Sequence, residues 1–222
     1  MKNLILNFAL VAFISLGAGA CKEKEEKDET ATATDTMETA GVSADFNVNV
    51  DESTILWKGS KPLGSHNGTI ALASGTVMVK DGAPAGGKFS IDMNTITDLD
   101  LEGQMKDNLE AHLKGTVEGK EGDFFNVTEY PFASFEMTGV TEADGTTMVN
   151  GNLTIKDKTN PVSFPAAISV EENMMTLKSE PFTIDRTKWG VNFGSKSIFD
   201  NLGDKFIDDE IELTISVVAN KS

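Results

Sequence analysis

The sequence predicts an antiparallel all-β domain with one short helix for residues 45–220. Three observations support this fold class. Short runs of alternating apolar and polar residues recur along the region, turn-forming Gly, Asn, Asp and Pro separate these runs, and one segment carries apolar residues at helical spacing. The region, about 175 residues long, has the size of a single domain.

The predicted strands each have one apolar and one polar face. The apolar faces comprise, in chain order, Phe46, Val48 and Val50; Ile55, Trp57 and Gly59; Phe89, Ile91 and Met93; Phe135, Met137 and Gly139; Val149, Gly151, Leu153 and Ile155; Val162, Phe164, Ala166, Ile168 and Val170; and Ile211, Leu213, Ile215 and Val217. The opposite faces carry polar side chains such as Lys58, Asp92 and Glu212. Each strand would therefore bury one side and expose the other.

Turns between the strands are predicted where residues that tolerate tight backbone angles cluster. These clusters are Lys80-Asp81-Gly82, Ala143-Asp144-Gly145 and Glu172-Asn173. Asp, Asn and Gly adopt the left-handed backbone conformations that short turns require.

One segment, Leu99 to Lys114, is predicted to be helical. Its larger apolar residues lie about four apart, at Leu101, Met105, Leu109 and Leu113. Asp98 or Asp100 is expected to cap the start of this helix, and Gly115 is expected to end it.

About eight strands and one helix are compatible with a two-sheet sandwich or a closed up-and-down barrel. Alternation alone does not decide between them. The barrel is favoured because long strands with few edge-protecting charges are best managed by closure. An interior of eight strands is wide enough to be filled by side chains or to hold one small ligand.

Residues 1–20 have the features of a secretory signal peptide. A basic start is followed by an apolar run from Leu4 to Leu16 and by the small residues Gly17 to Ala20. Cys21, the only cysteine of the chain, comes next. The segment resembles a bacterial lipobox, in which this cysteine is lipidated, although Ala18 stands where a leucine is usual. The alternative is plain secretion, with cleavage near Ala20 and a free thiol.

Residues 21–44 are predicted to be a lipidated cysteine followed by a disordered acidic tether. The stretch from Lys22 to Glu29 is almost entirely charged, and too little of the segment is apolar to offset the cost of ordering it. A sharper alternative is a sorting signal, since the segment resembles the surface-export signal of some Bacteroidetes-type lipoproteins. We expect an envelope protein anchored to a membrane, facing the periplasm or the cell surface.

Catalysis and nucleic-acid binding are not indicated. The two histidines, His66 and His112, lack metal-protease spacing, and we find no Gly-x-Ser-x-Gly elbow and no phosphate-binding glycine loop. A net charge of −16 argues against a nucleic-acid partner. No cofactor and no metal site are predicted, and the oligomeric state, monomer or homodimer, stays open.

A set of motifs in fixed order resembles the YceI-like family over about residues 46 to 219. The motifs are Trp57-Lys58-Gly59, Gly64 to Ile70, Phe89 to Met93, His112-Leu113-Lys114, Asp123-Phe124-Phe125, Tyr130 to Phe135, Gly151 to Ile155, Pro161 to Phe164, and Phe182 to Val191. The family commonly runs from HLKS almost directly into DFF, whereas Gly115 to Gly122 is inserted here. The local conformation of this insertion is left open.

The resemblance implies a lipocalin-like barrel whose cavity holds a polyisoprenoid chain, such as an isoprenoid quinone or prenyl lipid. The inward apolar stripes then become candidate ligand contacts: Trp57, Phe89, Ile91, Phe135, Met137, Leu153, Ile155, Phe164, Phe182 and Ile184. Without the resemblance, the same stripes would equally describe a filled core. A structural or interaction lipoprotein with a solid barrel is therefore the alternative function.

Four further residues are candidates at the mouth of such a cavity. His66, placed by the sequence in a Gly/Asn turn, would donate to a headgroup oxygen or bond to backbone. Arg186 would contact an anionic or carbonyl headgroup, or serve as a structural ion pair or strand-end clamp. Phe124 and Phe125 would plug or gate the opening, or simply pack.

Overall fold

The computed structural model describes residues 43–222, which form ten strands and one α-helix. The elements are β1 (Ser43–Val48), β2 (Thr54–Lys61), β3 (Gly64–Lys80), β4 (Ala83–Asp98), α1 (Gly103–Lys114), β5 (Phe132–Ala143), β6 (Thr146–Ile155), β7 (Lys158–Val170), β8 (Met174–Ser179), β9 (Phe182–Asp185) and β10 (Glu210–Lys221). The predicted signal peptide, Cys21 and the tether up to residue 42 lie outside the described residues.

The strands close into a barrel, which confirms the predicted architecture and rules out the sandwich. All neighbours are antiparallel, in the order β10, β2, β3, β4, β5, β6, β7, β8, and β8 pairs back with β10. Closure leaves no long unpaired edge in this ring.

Ten strands fill eight positions because two positions are occupied by two short strands each. Both β1 and β2 lie between β3 and β10, and a 3-10 turn at Val50–Glu52 separates them. Both β8 and β9 pair with β10, and Glu180 and Pro181 separate them. Proline lacks the N–H that a continuous strand would need there.

Two of the predicted turns are tight hairpins of the type that matches strand twist. Asp81 and Gly82 have φ of 53° and 81°, and Asp144 and Gly145 have φ of 51° and 77°. Two successive residues with positive φ are the signature of a type I′ turn. These turns fix the first pairs of the β3–β4 and β5–β6 hairpins, Lys80 with Ala83 and Ala143 with Thr146, and the register shifts at irregularities further along both hairpins.

The helix begins later than the sequence predicted. Oδ1 of Asp98 accepts hydrogen bonds from the N–H groups of Asp100, at 3.2 Å, and Leu101, at 2.7 Å. This side-chain turn keeps both residues outside the helix, so α1 begins at Gly103. Glu102, and neither Asp98 nor Asp100, occupies the N-cap position. The predicted end at Gly115 is confirmed, with φ of 70°.

The two ends of the barrel differ. A floor of residues that are at most 2% exposed closes the end where β1 begins: Phe46, Val77, Val149, Met175 and Ala219. The other end, where β2 turns into β3 and where α1 follows β4, is covered by α1 and by the segments 115–131 and 190–209. We call this second end the mouth.

Candidate ligand-binding cavity

A cavity of about 300 Å³ runs from the mouth into the barrel. Its lining on β10 extends from Ile211 to Val217, which corresponds to about 20 Å of strand. The floor residues close it below. The shape therefore suits an extended chain that enters from one end.

The cavity wall is apolar along its length and polar only at the mouth. The polar or charged lining residues are Ser60, Lys61, His66, His112, Arg186 and Asp208. Each of the six belongs to the mouth end of a strand, to α1, to the 3-10 turn that follows β9 or to the mouth segments. An occupant would thus meet hydrocarbon deep in the barrel and polar groups only where it enters.

Four phenylalanines form a continuous aromatic band across the wall. Ring centroids lie 6.2 Å apart for Phe89 and Phe135, 5.9 Å for Phe135 and Phe164, and 4.5 Å for Phe164 and Phe182, which stack with an angle of 10° between planes. The ring of Phe135 lies over Gly151, where any Cβ would come within 2.4 Å of it. Glycine at 151 thus allows the band to form.

All fourteen residues proposed from the sequence as ligand contacts line this cavity. They are Trp57, His66, Phe89, Ile91, Phe124, Phe125, Phe135, Met137, Leu153, Ile155, Phe164, Phe182, Ile184 and Arg186. For the eleven that lie on strands, this location follows from alternation once the barrel is closed, whereas Phe124, Phe125 and Arg186 lie outside the strands. That they bind a ligand stays a prediction.

Trp57 presents an unused donor in the wall. Its Nε1 is buried and has no hydrogen-bond partner in the described part of the chain. Its indole ring packs against Gly68 of the neighbouring strand, where a Cβ would lie 2.6 Å from the ring. The indole N–H, which usually finds a partner when buried, is thus left unsatisfied within the wall.

His66 lies on a strand and not in the turn that the sequence suggested. It belongs to β3 and is paired with Gly59 of β2. Its Nδ1 lies 2.9 Å from Oδ2 of Asp100. Partial burial alone would raise the pKa of Asp100, but hydrogen bonds from the Asn67 N–H and from His66 outweigh it and lower that pKa. The predicted backbone partner of His66 is therefore replaced by a carboxylate.

Arg186 has the contacts of the strand-end clamp that the sequence left open as its alternative role. The side chain is 3% exposed, and its Nε, Nη1 and Nη2 donate to the carbonyl oxygens of Asp208, Val191 and Ile207 at 3.0, 2.6 and 2.9 Å. Burial lowers the pKa of Arg186, and the nearby carboxylates, Asp209 first, oppose this. The guanidinium fastens the segment before β10 to the barrel and keeps little donor capacity for a headgroup.

An aromatic cluster that the sequence did not predict covers part of the mouth. The imidazole of His112 lies between the rings of Phe124 and Phe193, at centroid distances of 5.0 and 4.9 Å, and the two phenylalanines are 5.4 Å apart. We call His112, Phe124 and Phe193 the mouth cluster. Phe124 thus packs at the opening, while Phe125 packs on the core.

The inserted segment Gly115 to Gly122 folds as a series of turns beside the helix end. The chain returns to α1, where the N–H of Phe125 donates to the carbonyl oxygen of Leu113 at 3.2 Å and that of Val127 to Lys114 at 2.8 Å. These bonds place Phe124 against His112. No sequence motif indicates this contact between Phe124 and His112. Leu109 and Leu113 also line the cavity, and both belong to the apolar face of the predicted helix.

The sequence profile of the YceI-like domain matches residues 30–219, which is most of the chain. The chain belongs to the YceI-like family. Comparison with curated proteins gives no significant match.

Two solved structures share the fold. BcnA of Burkholderia cenocepacia is 20% identical, with a TM-score of 0.52, and the match covers 77% of this chain and 98% of that one. A polyisoprenoid-binding domain from Saccharophagus degradans, implicated in plant cell wall breakdown, is 9% identical, with a TM-score of 0.55, and covers 80% and 98%. At these identities the likeness establishes the fold alone. Within residues 43–222, no helix has the length and apolarity to cross a membrane.

Proposed function

We propose that this chain binds a long apolar lipid of the isoprenoid class, a polyisoprenoid or an isoprenoid quinone, in the barrel cavity. The observation that carries the proposal is the distribution of polarity along the cavity wall. An apolar lumen with polar groups at one end matches a lipid whose tail enters first and whose headgroup stays at the mouth.

Burial of the tail supplies the driving force for binding. At about 25 cal/mol per Å² of apolar surface, about 300 Å² removed from water contributes about 7 kcal/mol before the costs of association. The aromatic band offers flat surfaces to the unsaturated tail. The polar mouth residues would orient the headgroup.

The isoprenoid class is favoured over other apolar chains by kinship. A structural neighbour that shares the fold is a polyisoprenoid-binding domain, and this chain belongs to the YceI-like family. The cavity itself suits any extended apolar chain, so the choice between an isoprenoid and a straight acyl chain is left to the binding experiment below.

The setting we propose is the cell envelope, with the protein anchored through a lipidated Cys21 and carrying or sequestering its ligand. The support is the signal-like segment 1–20, the single cysteine after it and the charged stretch that follows. A tether of about 24 residues has a root-mean-square reach of about 25–30 Å if flexible, which would keep the barrel near a bilayer.

The alternative is a structural or interaction lipoprotein with a filled barrel. The cavity does not favour it, because the upper barrel is not filled by its own side chains. We also propose that the chain is a binding protein without catalytic activity, because lipid binding needs only the apolar lumen and the polar mouth.

The proposal is tested by blocking the cavity from within. Gly59 lines the lumen near the mouth, and a side chain added there would begin in open space, with no atom within 4 Å of its Cβ. Gly59→Phe should therefore fold and fill the entrance. Gly151→Phe is unsuitable, because its Cβ would lie 2.5 Å from the carbonyl oxygen of Glu136.

The control is Lys58→Phe, which adds the same ring to the adjacent residue on the outer face of β2. The full chain and both variants would be titrated with a fluorescent farnesyl probe, with an isoprenoid quinone and a straight-chain fatty acid as competitors. We expect Gly59→Phe to weaken probe binding at least tenfold and Lys58→Phe to leave it unchanged. Equal binding by all three proteins, or displacement by the fatty acid alone, would overturn the proposal.

A further inference from the structure

Three potential metal ligands that are distant in sequence meet beside the mouth. His66 of β3, Asp98 at the end of β4 and Asp100 each offer one nitrogen or oxygen atom, and these atoms all lie within 4.8 Å of one another. The group is the one cluster of three such residues in the described range 43–222. Because His66 also lines the cavity, the cluster adjoins the ligand entrance.

Asp98 is the member of the cluster that most needs a partner. Its exposure is 0%, and its Oδ2 is buried without a hydrogen-bond partner in the described residues. A buried carboxylate is costly unless it is paired, hydrogen-bonded or bound to a cation. No ion pair reaches the Asp98 carboxylate within residues 43–222: Lys106 contacts the carbonyl oxygen of Asp98, at 2.7 Å, and the carboxylate of Glu110, at 3.7 Å.

The carboxylates of Asp98 and Asp100 are each held in place by backbone N–H groups that bond to the Oδ1 atom. Oδ1 of Asp98 is fixed by the N–H groups of Asp100 and Leu101. Oδ1 of Asp100 is fixed by the N–H of Asn67 at 2.8 Å, and its Oδ2 meets Nδ1 of His66. The same backbone turn that delays the helix therefore preorganises two carboxylates around one imidazole, which is how supporting bonds orient metal ligands.

We propose that His66, Asp98 and Asp100 form a binding site for a first-row divalent cation such as Zn²⁺. One imidazole nitrogen with two carboxylate oxygens is a ligand set that zinc accepts, and three protein ligands leave a position for water or a ligand oxygen. The imidazole disfavours Mg²⁺ and Ca²⁺, which prefer oxygen alone. The cation would neutralise the buried charge of Asp98. This inference is independent of lipid binding.

The chain contains its own control site. His112 and Asp123 form a second histidine–aspartate pair, with Nε2 and Oδ2 2.7 Å apart, but no third metal-ligating side chain joins them in the described residues. If histidine–aspartate pairs alone held zinc, both sites would bind alike. A third, buried carboxylate is what distinguishes the proposed site.

The test is calorimetric titration of the full chain with ZnCl₂, after purification without a polyhistidine tag and treatment with a chelator. We expect one high-affinity equivalent in the wild type. His66→Gln, and Asp98→Asn, which retains the Oδ1 acceptor, should weaken that binding by more than the 10- to 100-fold typical of losing a supporting residue. His112→Gln should bind as the wild type does.

The proteins share Cys21, so the thiol cannot produce a difference between them. Circular dichroism shows whether each variant folds. If Asp98→Asn does not fold, the zinc affinity of His66→Gln, a substitution at a half-buried position, tests the proposal. Absence of binding in the wild type, or equal affinity in the wild type and His66→Gln, would overturn the proposal. Displacement of the bound zinc by equimolar Mg²⁺ would also contradict it.

Discussion

Nε2 of His112 lies 2.7 Å from Oδ2 of Asp123, a contact that joins the last turn of α1 to the segment that follows it. It orients the imidazole between Phe124 and Phe193. The mouth of the cavity is thus partly covered by His112, Phe124 and Phe193, and these side chains would have to move for a lipid to enter or leave.

The mouth cluster should control how fast a ligand leaves. Phe193→Ala removes the ring that contacts both His112 and Phe124. Each such aromatic pair contributes about 0.5–1.5 kcal/mol, so we expect an isoprenoid probe to dissociate about 2- to 10-fold faster for each pair removed. Phe132→Ala is the matched control, because Phe132 is 53% exposed and does not line the cavity. Stopped-flow release of the probe measures the rates. Equal rates in the two variants would show that the cluster is no barrier.

The two tryptophans should contribute differently to stability. Nε1 of Trp189 donates to the carbonyl oxygen of Leu153 at 2.9 Å, and the side chain is 2% exposed, whereas Nε1 of Trp57 has no partner in the described residues. Trp189→Phe removes this buried hydrogen bond and shrinks a fully buried ring, so it should lower the free energy of unfolding by about 1–3 kcal/mol.

Trp57→Phe serves as the control, because it makes the same indole-to-phenyl replacement but breaks no hydrogen bond. We expect it to change stability less than Trp189→Phe and to weaken ligand binding more. Urea unfolding followed by circular dichroism measures the free energy of unfolding of both variants. Greater destabilisation by Trp57→Phe would contradict this assignment.

The Asp209 carboxylate should make stability depend on acid pH. Partial burial would raise its pKa, but the hydroxyls of Ser195 and Ser197 and the charge of Arg186, whose Nη2 is 3.7 Å away, outweigh burial and lower the pKa. A carboxyl whose pKa is depressed by folding stabilises the protein above its unfolded pKa of about 3.9, and the benefit disappears as the pH falls through the folded value. Asp209→Asn should therefore be less stable than the wild type at pH 6, with a smaller difference at pH 3. Parallel stability curves at the two pH values would refute this.

Membrane attachment should depend on Cys21. Replacing it with serine removes the thiol that lipidation requires, so we expect the variant to move from the membrane fraction to the soluble fraction after cell lysis. Metabolic labelling with a radioactive fatty acid should mark the wild type and not the variant. A Cys21→Ser protein that still pellets with membranes would point to a different anchor.

Alternation along the strands was enough to predict the barrel wall, because a period of two assigns every second residue to the inside once the sheet is closed. The stripe from Val149 to Ile155 illustrates this, and the Asp-Gly turns set the pairing of the residues that flank them. What the sequence did not reveal depends on contacts between distant residues. His112 contacts Phe193, which is 81 positions away in the sequence, and His66 contacts Asp100. The carboxylate of Asp98 accepts hydrogen bonds from the N–H groups of Asp100 and Leu101, two residues that the sequence placed inside the helix.

The most direct test of lipid binding is native mass spectrometry of the full chain purified from its own membranes in mild detergent, followed by organic extraction and identification of the released molecule. We predict one isoprenoid lipid per chain in the wild type and none in Gly59→Phe. The same spectra report whether the chain is a monomer or a homodimer. A wild-type protein that carries no lipid, and takes up none when isoprenoid is supplied, would contradict the proposed function.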